Sequence, residues 1–355
     1  YTRVMTMKKT SKAKKVIKIT VLSILGVIAA ALIIISNILY GRVSTISSVK
    51  QLGEGMYTVN YRHDYQLDKA LESGIDDERS LLKFICDEMY FGYQVDSNIE
   101  KYACSAFLTE SPDGDIIAGR NFDYDQTDTL AVYTKPYGGY ASISMAVLDF
   151  MKVGRPNAVS PMSIEGKLAM LAAPYLCVDG VNEAGLNIAL LDLPEGEIHQ
   201  DNGKPDLFMP IAVRLLLDRA ATVDEAAALL EQYDIHCADG NTQHMFISDK
   251  SGRAVVVEWS DDDMTVVESD ICTNFWLKDT PEEDYPQMCN RFDIIQRCLE
   301  NNPANTEENS MKILDMARVG WTQWSCVYNL SDFSVDVAVD LGFDNVYTLT
   351  PESFK

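Results

Sequence analysis

Residues 102–124 bring a thiol, a guanidinium and a carboxylate into one short stretch, YACSAFLTESPDGDIIAGRNFDY. Cys104 is a potential nucleophile. Arg120 is a positive charge able to favour a thiolate, and Asp123 is an acceptor able to orient an amine. A hairpin would close the distance between them. Cys104, Ala106 and Leu108 alternate with Ser105, Phe107 and Thr109 as in a strand, and Ser111-Pro112-Asp113-Gly114 is turn chemistry. The returning run, residues 115–118, then carries Arg120 and Asp123 back toward the start of the first strand. Taken singly, each residue has an ordinary reading. A cysteine in an apolar run is commonly a small buried hydrophobe, and Arg120 with Asp123 would make a structural ion pair.

The elements that must hold this stretch belong to a chain of 355 residues, 47% hydrophobic, with 30 basic and 53 acidic side chains. Charge is unevenly spread. Residues 1–40 hold seven Lys/Arg and no acid, leaving 23 basic and 53 acidic residues in the remainder. So acidic a body repels polyanions, which argues against a nucleic-acid partner. Residues 1–18 form a basic leader, and residues 19–40 are 22 positions without a charge. That run is long enough to span a bilayer as a helix, and no small-x-small site closes it. The reading is an uncleaved single-pass anchor in the cell membrane, lysines inside and the acidic body outside, with a cleaved signal as the alternative.

Residues 41–60 read as a polar connector. From 65 to 90, apolar positions at helical spacing predict two helices broken near Gly74, too little mass to fold alone and so a pro-segment packed on the body. Further on, strands are expected around 130–133, 141–150, 244–248, 253–259, 264–267, 271–275, 324–329 and 334–339, and 178–192 reads as a turn followed by a strand. Helices are expected at 205–219, at 222–233 with Thr222 as its cap, and at 288–300 and 307–319. Strands and helices come in blocks, which favours an α+β arrangement of layered antiparallel sheets. Eight cysteines lack metal-ligand spacing, so no metal or cofactor is called for, and their pairing is open.

The stretch beginning at Cys104 resembles the start of the mature chain in the choloylglycine hydrolase family of N-terminal-nucleophile amidases. That family includes bile salt hydrolases, penicillin V acylases, acid ceramidase and N-acylethanolamine acid amidase. There a cysteine heads a hairpin followed by Gly-Arg-x-x-Asp; here these are Cys104, Gly119, Arg120 and Asp123. Three later positions extend the likeness: Asn182 in DGVNEAGL, Asn274 after Thr273, and Arg291 in Asn290-Arg291-Phe292. At Asn274 the family's following proline is replaced by Phe275-Trp276. The resemblance runs in consistent order over roughly 104–340. It implies a four-layer αββα sandwich for residues 104–355, preceded by the linker and pro-segment of 41–103. It also implies oxyanion donors at Asn182 and Asn274, and a small-molecule N-acyl amide or bile-salt-like substrate.

In that scheme the Ala103–Cys104 bond is cut by the Cys104 thiol itself. The freed α-amine, with an ordinary pKa of about 7.7–8, then serves as the base for its own thiol. Arg291 would lie beside the nucleophile. Phe122, Tyr124, Tyr137 and Phe150 would line the acyl cleft. Two other readings stay open at this point: a papain-like hydrolase pairing Cys104 with His244 or His236, and a catalytically silent anchored binding module. The acyl and amine parts of the substrate and the oligomeric state are not legible.

Overall fold

A computed structural model describes residues 2–90, 92, 102–194, 196–238, 240–260 and 263–355. The polar stretch 94–100, whose composition suits an exposed linker, lies outside the described residues. Two large sheets dominate. The nine-stranded sheet runs in the spatial order Lys50–Gly53, Met56–Tyr61, Thr129–Thr134, Ser142–Val147, Cys177–Asn182, Leu186–Leu193, Thr242–Asp249, Ala254–Ser260, Asp263–Glu268. The six-stranded sheet runs Ile271–Cys272, Ala103–Glu110, Ile116–Asp123, Thr322–Asn329, Ser334–Val339, Tyr347–Leu349.

The hairpin expected at residues 102–124 is the centre of the second sheet, with Cys104 opposite Phe122 and Ala103 opposite Asp123. Its turn needs Gly114, which sits at φ 89°, a conformation that costs other residues a steric clash. Ser111 Oγ accepts the backbone N–H groups of Asp113 and Asp115, closing the turn from within. Register then sorts the side chains. Cys104, Ala106, Arg120, Phe122, Trp324 and Cys326 share one face. That face meets the nine-stranded sheet, since Arg120 reaches Asp179 and the Leu190 carbonyl there. Ser105, Asn121 and Ser325 point the other way, where Asn121 Nδ2 donates to the carbonyl of Leu314 in the helix Glu307–Ala317.

Helices cover the outer faces. Met209–Arg219 and Val223–Leu230 pack on the nine-stranded sheet, and Asn290–Asn301 with Glu307–Ala317 pack on the six-stranded one. Thr222 caps its helix as expected, accepting the Glu225 N–H at 3.2 Å. The result is a mixed α+β, sheet-rich fold with its core between the sheets.

Upstream, one helix runs from Thr2 to Ser47. Its portion Lys15–Ser47 has a mean hydropathy of 2.8 in its most apolar window and is long and apolar enough to cross a membrane. The helix does not stop at a connector. Its last turns dock on the body: Arg42 donates to the carbonyls of Met89 and Glu88, and Thr45 Oγ1 accepts the N–H of Arg62. The reading of 41–60 as a connector is therefore corrected. Residues 50–61 form two strands, and Met56–Tyr61 pairs in parallel with Thr129–Thr134 at the body's edge. The helices Leu67–Glu72 and Glu78–Met89 follow. Met56, Val59, Leu81, Ile85 and Met89 are all buried. At about 1.5–3 kcal/mol for each side chain, this burial contributes on the order of 10 kcal/mol, as an upper bound. Residues before Cys104 are thus built into the sheet rather than laid over it.

Candidate active site

The Cys104 side chain is fully buried on the face between the sheets. Its backbone N–H donates to Asn274 Oδ1 at 2.8 Å, and its carbonyl accepts from Arg291 Nη1 at 2.7 Å. Arg291 also donates to Asp123 Oδ2 at 2.7 Å and to Asn274 Oδ1 at 2.6 Å. Asp123 Oδ1 accepts from Thr322 Oγ1 at 2.5 Å. Cys104, Asp123, Asn274 and Arg291 therefore form one connected group. The Asn274 amide has its oxygen toward two donors, while its Nδ2 donates to the Asp192 carbonyl at 2.5 Å.

Arg120 takes part differently from the sequence expectation. It is buried, and it pairs with Asp179 rather than Asp123, Nε to Oδ2 at 3.1 Å, with Nη2 donating to the Leu190 carbonyl at 2.6 Å. Asp179 also accepts from Trp324 Nε1 and the Tyr328 hydroxyl. Burial pushes the Cys104 thiol up to about 12, against the pull of the Arg120 charge and with a further push from Asp123 and Asp192. Burial likewise raises the Asp123 carboxyl, opposed by Arg291. The thiol is therefore protonated at neutral pH, and a base or a loss of burial is needed to form the thiolate.

The structure does not bring Asn182 to this group, which corrects the expectation of a second oxyanion donor there. Its Nδ2 donates to the carbonyls of Leu217 and Ala220, and its Oδ1 accepts from the N–H groups of Ala184 and Leu186. It ends the strand Cys177–Asn182, at the turn into Leu186–Leu193. Cys104 sits by the other end of the Leu186–Leu193 strand, roughly 20 Å away at about 3.3 Å per residue. Tyr137 is fully exposed and is not among the residues lining the cleft over this group. His244 is not paired with Cys104. Its Nε2 lies 3.4 Å from Cys272 Sγ and its Nδ1 3.0 Å from Glu258 Oε1, all three side chains buried. His236 faces His199 and Asp206. All eight cysteines are free thiols.

Three residues without a recognisable motif complete the site. Asp192 accepts the Tyr102 N–H on Oδ2 at 2.6 Å and Gln243 Nε2 on Oδ1 at 2.9 Å. Glu258 accepts the N–H groups of Leu277 and Lys278, each at 2.9 Å. Together with the contact of His244 on Cys272, this fixes both ends of the segment that carries Asn274. Asp192 closes the apolar run IALL, and an acid in that position is a faint signal of a site at a strand end. Gln243 and Glu258 carry no such signal. A cleft of about 460 Å³ opens over the group, lined by Ala103, Asp123, Tyr124, Asp192, Asn274 and Trp321 among others.

Residues 104–277 match the family of linear amide C-N hydrolases, choloylglycine hydrolase family. Over those residues the chain is similar to that family. A penicillin V acylase from Pectobacterium atrosepticum is 29% identical over 175 residues; the match covers 45% of this chain and 45% of that relative, so less than half of the relative's length is spanned. Among solved structures, a penicillin V acylase from Agrobacterium tumefaciens superposes with a TM-score of 0.54 at 17% identity, covering 70% of this chain and 86% of that one. A conjugated bile acid hydrolase from Clostridium perfringens superposes with a TM-score of 0.53 at 16% identity, covering 70% and 93%. At those identities the two structures share the fold with this chain.

Proposed function

We propose that the protein is an amidase for linear, non-peptide C–N bonds, with Cys104 as an N-terminal nucleophile freed by a cut between Ala103 and Cys104. The observation that carries this reading is the backbone nitrogen of Cys104, held by Asn274 beside the Arg291–Asp123 pair at the mouth of a cleft. That nitrogen becomes the α-amine after the cut, and its cradle already exists.

In maturation, Cys104 Sγ bonds to the Ala103 carbonyl carbon and the Ala103–Cys104 C–N bond breaks. The thiol proton passes to the departing nitrogen, and water then hydrolyses the thioester to leave a carboxylate on Ala103. In turnover, the α-amine takes the thiol proton, the thiolate attacks the substrate carbonyl, and the amine product leaves with that proton. Water activated by the same amine releases the acid. Asn274 remains as the side-chain oxyanion donor, and Arg120 supplies the field that favours the thiolate. The sheets with helices on both outer faces are read as the αββα sandwich of N-terminal-nucleophile hydrolases.

A panel of N-acyl amides with different acyl and amine parts, assayed with purified protein, tests the activity. Hydrolysis of at least one amide is expected, and inactivity on every N-acyl amide by fully cut protein would overturn the reading. For location, we propose that the helix over residues 19–40 anchors the body outside the cell membrane. Protease added to intact cells should degrade the body and spare the leader; a body protected until lysis sinks this assignment.

A further inference from the structure

Tyr102 separates two spaces. On one side is the open cleft over Cys104. On the other is a narrow, enclosed crevice bounded by Phe150, Leu176, Leu190, Phe208 and Gln243 as well as Tyr102 itself. The Tyr102 ring is 5% exposed, with its centroid 5.1 Å from that of Phe122, which lies opposite Cys104 in the hairpin register. Its hydroxyl accepts from Gln243 Nε2 at 2.6 Å, and its N–H is the one held by Asp192. The phenol is therefore seated like a ligand, with an aromatic wall and one polar contact at its tip.

We infer that the seat of Tyr102 is the acyl-group site of the mature enzyme, and that it selects acyl parts ending in a hydroxyl-bearing aromatic ring. The inference rests on the amidase reading above. The same thiol attacks the Ala103 carbonyl during maturation and the substrate carbonyl during turnover. The acyl part of the first, Ala103 with Tyr102, marks the direction the acyl part of the second must take. About five atoms link the Ala103 carbonyl carbon to the Tyr102 ring, which sets the matching spacer in a substrate. The cut itself helps vacate the seat. It creates a carboxylate on Ala103 in a cleft already holding Asp123, Asp125 and Asp192, with Arg291 committed to Asp123 and Asn274. Like charges at that range repel, and the tail is displaced into solvent.

Three p-nitroanilides that share one leaving amine test this with cut, wild-type protein: 6-(4-hydroxyphenyl)hexanoyl, 6-phenylhexanoyl and acetyl. The phenylhexanoyl amide should exceed the acetyl amide in kcat/KM by about a hundredfold, from burial of the ring. The hydroxyl should add about fivefold, the effect of one hydrogen bond at Gln243. In Gln243→Leu the ratio between hydroxyphenyl and phenyl substrates should fall to about one. If acetyl and phenylhexanoyl amides react equally, or the hydroxyl gives no advantage in wild type, the acyl-site assignment is overturned while the amidase reading stands. If no anilide reacts but other N-acyl amides do, the assignment is again overturned. If cut protein hydrolyses no amide at all, the amidase reading fails and the assignment with it.

Discussion

Replacing Cys104 by alanine is expected to leave one uncut chain with no measurable amide hydrolysis, whereas wild-type protein runs as two fragments. The larger should begin at Cys104. The substitution removes only the sulfur from a fully buried position, so the fold should survive at a cost of about 1 kcal/mol. The pH dependence of the cut should report the thiol. With burial holding it up to about 12, the thiolate fraction of the uncut chain grows about tenfold per pH unit below that value. The cut should therefore accelerate from pH 6 to pH 9 without levelling. Hydrolysis by cut enzyme answers instead to the α-amine and should level off near its pKa of about 8. N-terminal sequencing of the large fragment decides the matter, and active enzyme with an intact Ala103–Cys104 bond would falsify the mechanism.

Arg120 is expected to produce the second large effect, and in two separable parts. The buried pair with Asp179 makes folding sensitive to its loss, because removing the guanidinium leaves a buried carboxylate with only the Trp324 and Tyr328 donors. Breaking such a pair costs about 3–5 kcal/mol, or roughly 10 °C in Tm for a chain of this size. Burial already holds the Asp179 carboxyl above the usual range, with Arg120 as the opposing influence. Arg120→Met should therefore lower Tm strongly, and Arg120→Met with Asp179→Asn should recover most of that loss. Activity should stay down by at least a hundredfold in both, since the thiol has lost its nearby positive charge. Recovery of activity together with stability in the double variant would show Arg120 to be structural only.

What could be read without coordinates divides along physical lines. The hairpin at 103–123 was legible because turn residues and alternation are local signals, and its register followed from them. Asn274 and Arg291 were legible only through the family resemblance, and both hydrogen-bond to the Cys104 backbone. Asn182 lies in an equally recognisable phrase, yet that phrase encodes a turn. Its partners are the backbone groups of Leu217, Ala220, Ala184 and Leu186. The carboxylate that does reach the site, Asp192, ends the same hairpin's second strand, so the right element was found and the wrong end of it chosen. Met56–Tyr61 was missed for a different reason. Its parallel partner, Thr129–Thr134, lies some seventy positions later, and no local pattern announces a pairing of that range. The roles of Glu258 and Gln243 depend on contacts between elements and have no one-dimensional trace.

The parallel strand at the sheet edge has a consequence for how such an enzyme would stay in place. A cut at Ala103–Cys104 would sever the only covalent route from the apolar helix to the catalytic chain. Attachment would then pass through the ladder of Met56–Tyr61 on Thr129–Thr134 and the buried side chains behind it. The short chain would be a tether that is also a structural strand of the enzyme it holds. Letting go of the surface and losing the fold would be one event, so a shed and still active catalytic chain is not a state this architecture provides.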